Sequence, residues 1–474
     1  MFGFEKFLSA NFTNAAAREL RFCLGGAADL KSREVRTAGG AVCELFWLDA
    51  LADEALLSEE ILRPLSALKT RSGPETVNAA LRGGVWRGDA VLRRDAAAAA
   101  EDLLAGAAVL TAAGTGEILT FLIRSAAVRG VEQPTVEKSV LGPKESFTET
   151  LSVNTALLRR RLPSPRLRVR VLTLGREAPV RSALVYLDGA AQPERVAEAQ
   201  SRLEAADPAF FTSAGQLERP LAGRPRGLFP QVLHTERPDR FAAELTRGKV
   251  GVLTEGLPVG FLTPCALPEL MLSQEDGARH ALVAAGLVTL RCAALLLALL
   301  LPGAYVAAAV HHPEMIPCKL LLSVMQAKEQ VPFSTAAEVL GMLFSFELLQ
   351  EAGIRLPEPV GQTVSIIGAL IVGQSAVEAR VLSPIVIIVV AVSGIAGYVL
   401  PSQELNAAVR LWRGVLVILA AVLGLFGVLC GVMALLRRLC RTENLGQSCL
   451  FPLCDGAPGA LRRFFRALTG KARP

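Results

Sequence analysis

The chain has 474 residues, of which 51% are hydrophobic, with a mean hydropathy of +0.41 and a formal charge of +6. That length suits about three domains, and so high an apolar share argues against a wholly soluble chain. The modest charge gives no reason to expect nucleic acid as a partner, and nine scattered cysteines without a C-x-x-C pair argue against a disulfide framework.

The first 30 residues lack a basic segment followed by an apolar core, so no cleavable leader is expected, and MFGFEKF reads as the start of a cytoplasmic domain. Residues 1–135 are predicted as a first α/β subdomain. It has a short apolar strand at 41–48, helical apolar spacing at 57–68, an alanine-rich helix at 91–106 and a strand at 118–123. No glycine-rich phosphate loop occurs, so no nucleotide or other cofactor is expected.

Residues 136–280 form a second predicted α/β subdomain. Ser146 and Glu149 have capping-box spacing, in which a hydroxyl and a carboxylate satisfy free amides at a helix start. Phe147, Leu151, Leu158 and Leu162 then share one helical face before Pro163 ends the helix. Arg159, Arg160 and Arg161 close its last turn, where positive charge suits the helix dipole. They read as a solvated helix end in preference to an anion or partner site. Strands follow at 167–173 and 183–187, a helix at 193–205, and a helix at 240–246 capped by Asp239. A hairpin turns at Glu255-Gly256. Nothing here assembles a nucleophile, a base and an orienting acid, so no enzyme is expected.

From residue 281 the character changes. Residues 292–310 carry no charge; Arg291 lies at their start, where it can snorkel to the interface, and Pro302-Gly303 predicts a kink or a broken helix. His311, His312 and Glu314 read as an interfacial turn in preference to a metal site. Residues 315–356 suit helices that lie in the interface or line a bundle. Within them Glu347 and Glu351 stand one turn apart, either guarding a cation path or sitting on an exposed amphipathic face.

Two apolar runs then follow back to back, at 359–377 and 381–403, with Glu378 and Arg380 in the break. A bilayer core of roughly 30 Å takes about 20 mostly apolar residues per helix, with every backbone group satisfied inside it. Crossings are predicted at 284–310, 359–378, 382–402 and 413–436, giving a membrane domain at 281–436. The first of the paired runs is unusually polar, holding Gln362, Ser365, Gln374 and Ser375. Ser365, Ala369 and Gly373 recur every four residues, as do Gly427 and Gly431, which suits either a narrow pore wall or a tight helix seam.

The tail at 437–474 has eight basic residues against Glu443 and Asp455, while 310–358 has three against six Glu. Both place the amino-terminal domain and the tail on the inside. Two more crossings would leave that orientation unchanged. Cys440, Cys449 and Cys454 fit no standard metal spacing. The fold class expected is an α/β cytoplasmic region of two subdomains followed by an α-helical polytopic membrane domain.

Four stretches carry a family resemblance. They are GPKESFTETLSVNTALLRRRL (142–162), FPQVLHTERPDRFAAELTRGKVGVL (229–253), LPGAYVAAAVHHPEMIP (301–317) and FELLQEAGIRLPEPVGQTVSIIGALIVGQSAVEA (346–379). Over about residues 40–436 the chain resembles the spore germinant receptor A subunits, the GerA family. The resemblance implies a homo-oligomer in the spore inner membrane that opens to monovalent cations in response to a nutrient. It also implies two partners, a transporter-like B subunit and a lipoprotein C subunit. The pore-lining residues it implies are Gln362, Ser365, Ile366, Ala369, Val372 and Gly373, with Glu347, Glu351 and Glu378 as acids on the cation path. A paralogous branch, the SpoVA-operon F protein, shares most of these motifs and would make the chain an accessory channel that amplifies ion release. A secondary transporter is the other alternative; it predicts an inverted repeat, and none is evident.

Overall fold

The structure, a computed structural model, describes residues 15–125, 134, 137, 142–206, 214–222, 228–273, 276, 279–355 and 373–453. Its first sheet is built from β1 (Leu30–Arg36), β2 (Val42–Leu48), β3 (Ala90–Arg93), β4 (Ala107–Ala112) and β5 (Ile118–Leu122), in the order β1-β2-β4-β5-β3. Every pairing is antiparallel. All of β2 except Val42 is buried because both faces of the sheet are covered. Leu45, Leu110 and Phe121 meet Leu57, Ile61 and Leu65 on one face. On the other, Phe46, Leu48 and Val109 meet α1 (Ala15–Cys23) and α2 (Ala96–Leu104).

The alanine-rich run expected as one helix over 91–106 divides. Residues 90–93 pair with β5, and the helix begins only after Asp95, whose carboxylate accepts from the Ala97 amide at 3.1 Å. Alanine favours helix, but sheet pairing with a partner 25–31 residues along the chain overrides that preference at Ala90–Arg93. β1 and β4 are strands that the sequence pattern does not announce.

The second sheet contains β6 (Leu167–Leu174), β7 (Val180–Leu187), β8 (Leu233–Thr235), β9 (Val250–Thr254) and β10 (Gly260–Thr263). Its order, β6-β7-β9-β10-β8, repeats that of the first sheet five strands later. α3 (Leu151–Arg161) precedes this sheet, and α4 (Pro193–Ala205) follows β7. α5 (Pro238–Thr246) lies between β8 and β9 as α2 lies between β3 and β4. One folding plan is therefore used twice. Both sheets belong to one compact unit, residues 1–225 with 232–264, and residues 226–231 with 265–474 form another.

Two local expectations change. Ser146 and Glu149 do not cap α3, which starts at Leu151 after Thr150. The Leu151 amide is satisfied instead by Glu255 Oε2 at 3.0 Å, a carboxylate from the β9–β10 turn. Phe147, expected on the helix face, packs edge-on against Phe241 with ring centroids 5.5 Å apart. The arginine triplet is not a solvated end either. Arg159 is 1% exposed; its Nε and Nη2 donate to Asp29 at 2.7 and 2.9 Å, and its Nη1 to the Leu167 carbonyl at 3.1 Å. Arg160 donates to the Ser125 carbonyl and Arg161 to Glu145.

The second unit is helical, with α6 (Ala281–His311), α7 (Cys318–Glu329), α8 (Thr335–Arg355), α9 (Pro384–Tyr398) and α10 (Gln403–Arg441). Val306, Val339, Met342, Val386, Val390, Val417 and Ala420 form its interior. Large apolar residues also face outward, among them Leu290 and Leu296 on α6, Ile388 and Ile395 on α9, and Val422, Phe426, Leu429 and Met433 on α10. So many outward-facing large apolar residues suit lipid better than water. Leu282–His311 and Gln403–Arg441 are long and apolar enough to cross a membrane.

α6 runs through Pro302-Gly303 as one continuous helix, so of the kink or broken helix expected there the break is absent. The break lies in α10, where Gly424 has φ +61° and ψ −142°. That region of φ is open to glycine at no steric cost. A Cβ on Gly427 would lie 2.1 Å from the Leu419 carbonyl oxygen, and one on Gly431 would lie 2.4 Å from Leu416 Cδ2. Along a straight helix those pairs would be about 12 and 22 Å apart at 1.5 Å per residue. α10 is thus two arms folded against each other, and the Gly427/Gly431 stripe is their seam.

Candidate functional site: a charged level in the helical unit

Of the residues predicted to line a pore, Gln362, Ser365, Ile366, Ala369 and Val372 lie outside the described residues. Gly373 is buried at the start of the helical residues 373–378. Glu378 is exposed at the end of that helix, followed by Arg380 with φ +56°.

Glu347 has a definite setting. Its Oε2 is 3.0 Å from Arg410 Nη1, and its Oε1 is 3.6 Å from Arg413 Nη2. Glu347 and Gln350 are three residues apart on α8, as are Arg410 and Arg413 on α10, and this spacing puts each pair on one helix face. Arg410 also donates to Gln350, and Arg413 Nη1 donates to Ser393 Oγ on α9 at 3.3 Å. Ser393 is fully buried and the Arg413 side chain is only 5% exposed. Taking a guanidinium out of water costs several kcal/mol unless it is paired, and intramembrane charges turn toward the bundle interior to find partners. One carboxylate here faces two guanidiniums. Both carboxylate oxygens of Glu347 are engaged by arginine, and what the arrangement does is tie α8, α9 and α10 together. Glu351, one turn further along, is exposed.

Other polar groups of this unit are satisfied locally, some of them at helix ends. Glu338, 2% exposed, accepts from the Ser383 amide at 2.8 Å, while Ser383 Oγ accepts from Val386 N at 3.4 Å, so the free amides starting α9 are met from within. Arg291 does not snorkel. It pairs with the buried Asp276 and donates to the Met271 carbonyl at 3.2 Å. His311 Nε2–H donates to the Ala421 carbonyl at 2.9 Å, and His312 Nδ1 lies 3.3 Å from Glu314 Oε1. Among the described residues no group of three or more His, Cys, Asp or Glu is placed to hold a metal. Arg410 and Arg413 are what sequence reasoning missed. Their signal was available as two arginines three apart at the start of a helix that then turns wholly apolar.

Comparison with known proteins sets this geometry in context. A family model described as Bacillus/Clostridium GerA spore germination protein matches residues 18–472. The chain is 32% identical over 421 residues to the uncharacterized membrane protein YfkQ of Bacillus subtilis, covering 89% of this chain and 82% of that one. It is 33% identical over 351 residues to spore germination protein B1 of the same organism, covering 74% and 73%. Among solved structures, the N-terminal domain of the A subunit of the Bacillus megaterium spore germinant receptor GerK3 aligns with a TM-score of 0.40 and 20% identity, over 52% of this chain and 92% of that one. Since the family model spans nearly the whole sequence and the relatives cover most of both chains, the chain belongs to the GerA family of spore germination proteins.

Proposed function

We propose that this chain is the non-enzymatic A subunit of a nutrient germinant receptor, oligomerising in the spore inner membrane as a nutrient-gated channel for monovalent cations. Membership of a germination family, joined to a helical unit whose exterior is apolar, is the observation that carries the reading. A transporter-like B subunit and a lipoprotein C subunit are its partners, and the amino-terminal unit and the basic tail face the spore core. The polar run at 359–378 is assigned to the path in this reading, with Gln362, Ser365 and Val372 as its candidate pore residues. Glu347, held by two arginines, braces the bundle in this reading instead of binding ions. Purified protein in liposomes is expected to pass monovalent cations, and Val372→Trp is expected to abolish the flux while leaving protein level in the membrane unchanged. Spores carrying that substitution are expected to release cations more slowly after nutrient. Unaltered release from spores that contain normal amounts of the variant overturns the pore assignment.

A further inference from the structure

We infer that α10 is a transmembrane hairpin with its tip at Gly424, so that Arg380 and Ser402 lie on opposite sides of the membrane; this rests on the reading of the helical unit as membrane-embedded. Helix directions follow from cross-contacts. A Cβ on Gly303 would be 3.4 Å from the Leu416 carbonyl oxygen, while at the end of α6 His311 bonds Ala421 and lies against Gly424. α6 therefore runs parallel to the first arm of α10. Ser393 meets Arg413, and a Cβ on Gly397 would be 2.8 Å from Asn406 Oδ1, so α9 runs the opposite way. α8 runs with α9, since Glu338 bonds Ser383 at their starts and Phe346 lies against Gly394 further along. One level thus holds His311, Thr335, Ser383 and Gly424. The other holds the start of α6, the end of α9, Ser402 and the end of α10.

Length supports the same assignment. A straight helix of 39 residues would span about 58 Å, nearly twice a hydrocarbon core of about 30 Å. Folded at Gly424, arms 403–423 and 425–441 span about 31 and 25 Å. The turn brings Arg437, Arg438 and Arg441 back to the level from which α6 starts, which gathers the basic charge on one face as orientation requires. A single crossing by 413–436 after one by 382–402 predicts the reverse, with Arg380 inside and Ser402 outside.

The test is labelling of the full chain, its native cysteines replaced, by a membrane-impermeant maleimide in intact cells that express it. Single cysteines are placed at Arg279, Arg380 and Ser402. Arg380→Cys is expected to label from the side opposite to Arg279→Cys, and Ser402→Cys from the same side as Arg279→Cys. Ala379→Cys and Gln403→Cys serve as second variants should either of the first fail to accumulate. Ser402→Cys labelling together with Arg380→Cys, or the two exchanging sides, overturns the hairpin. Recovery of the chain in the soluble fraction overturns the hairpin and the membrane reading together. The assay needs no ion flux, so a failed channel reading leaves its result intact.

Discussion

Glu244 on α5 is 6% exposed and lies 2.9 Å from Lys249 Nζ, itself almost fully buried, and 2.5 Å from Arg247. Burial by itself would raise its carboxyl pKa, but Lys249, Arg247 and Arg240 outweigh burial and hold it below the ordinary carboxylate range. A pKa lower in the folded than in the unfolded state, where it is about 4.3, means stability that is fully present above that unfolded value. It is lost as pH falls through the folded pKa. Thermal melting of the purified full chain in detergent should therefore decline on acidification below about pH 4.3, and Glu244→Gln should flatten that limb while lowering Tm at neutral pH. Cys43 behaves in the opposite sense, since burial pushes its thiol up to about 11 and it stays protonated and unreactive at neutral pH.

At the scale of elements, α5 shows why glycine sits inside two strands. A Cβ on Gly251 would lie 2.2 Å from Phe241 Cζ, and one on Gly260 would lie 2.6 Å from Phe241 Cδ2. The ring therefore rests directly on the backbones of β9 and β10, filling space that side chains would otherwise occupy. Gly251→Ala should destabilise the unit by about 1–3 kcal/mol through overpacking. Adding Phe241→Leu should recover part of that loss, since the smaller side chain can yield. If chemical denaturation of the full chain shows the double variant weaker than the sum of the single ones, the close-packing account is wrong. The hairpin at Glu255-Gly256, helix α4 and the end of α3 at Arg161 were all readable from local signals, because turn and breaker residues act within a few positions. The division of 91–106 into strand and helix was not, since the pairing partner of β3 lies elsewhere in the chain.

For the whole molecule, the pair Arg159–Asp29 joins the two copies of the repeated plan. Asp29 leads into β1 and Arg159 ends the helix before β6, 130 residues apart. Removing one partner of a buried pair leaves the other uncompensated, so Arg159→Met should cost about 3–5 kcal/mol. Asp29→Leu combined with it should restore much of that, as an apolar pair of similar volume has no stranded charge. Melting temperatures of the two single variants and the double variant check this; a loss in the double variant equal to the sum of the two single losses would show that the pair does not act as a unit. The helical unit repeats the lesson, because Glu347 reads on its own helix as an ion-path acid or part of an exposed amphipathic face, and only the tertiary structure brings Arg410 and Arg413 to it from α10.

The sequence by itself determined that an α/β region precedes apolar helices, since hydrophobic periodicity and run length are local properties that no later contact reverses. Its motifs also placed it in a germination family. Only the tertiary structure decided that the two sheets share one strand order, that Arg159 is an internal tie, that Glu347 is shared by two arginines, and that a 39-residue apolar helix turns back at Gly424. The physical reason is the same in each case. These features depend on partners far away in the chain, on a carboxylate meeting a guanidinium or on one helix arm finding room against another. The residues at either end carry no sign of the distance between them.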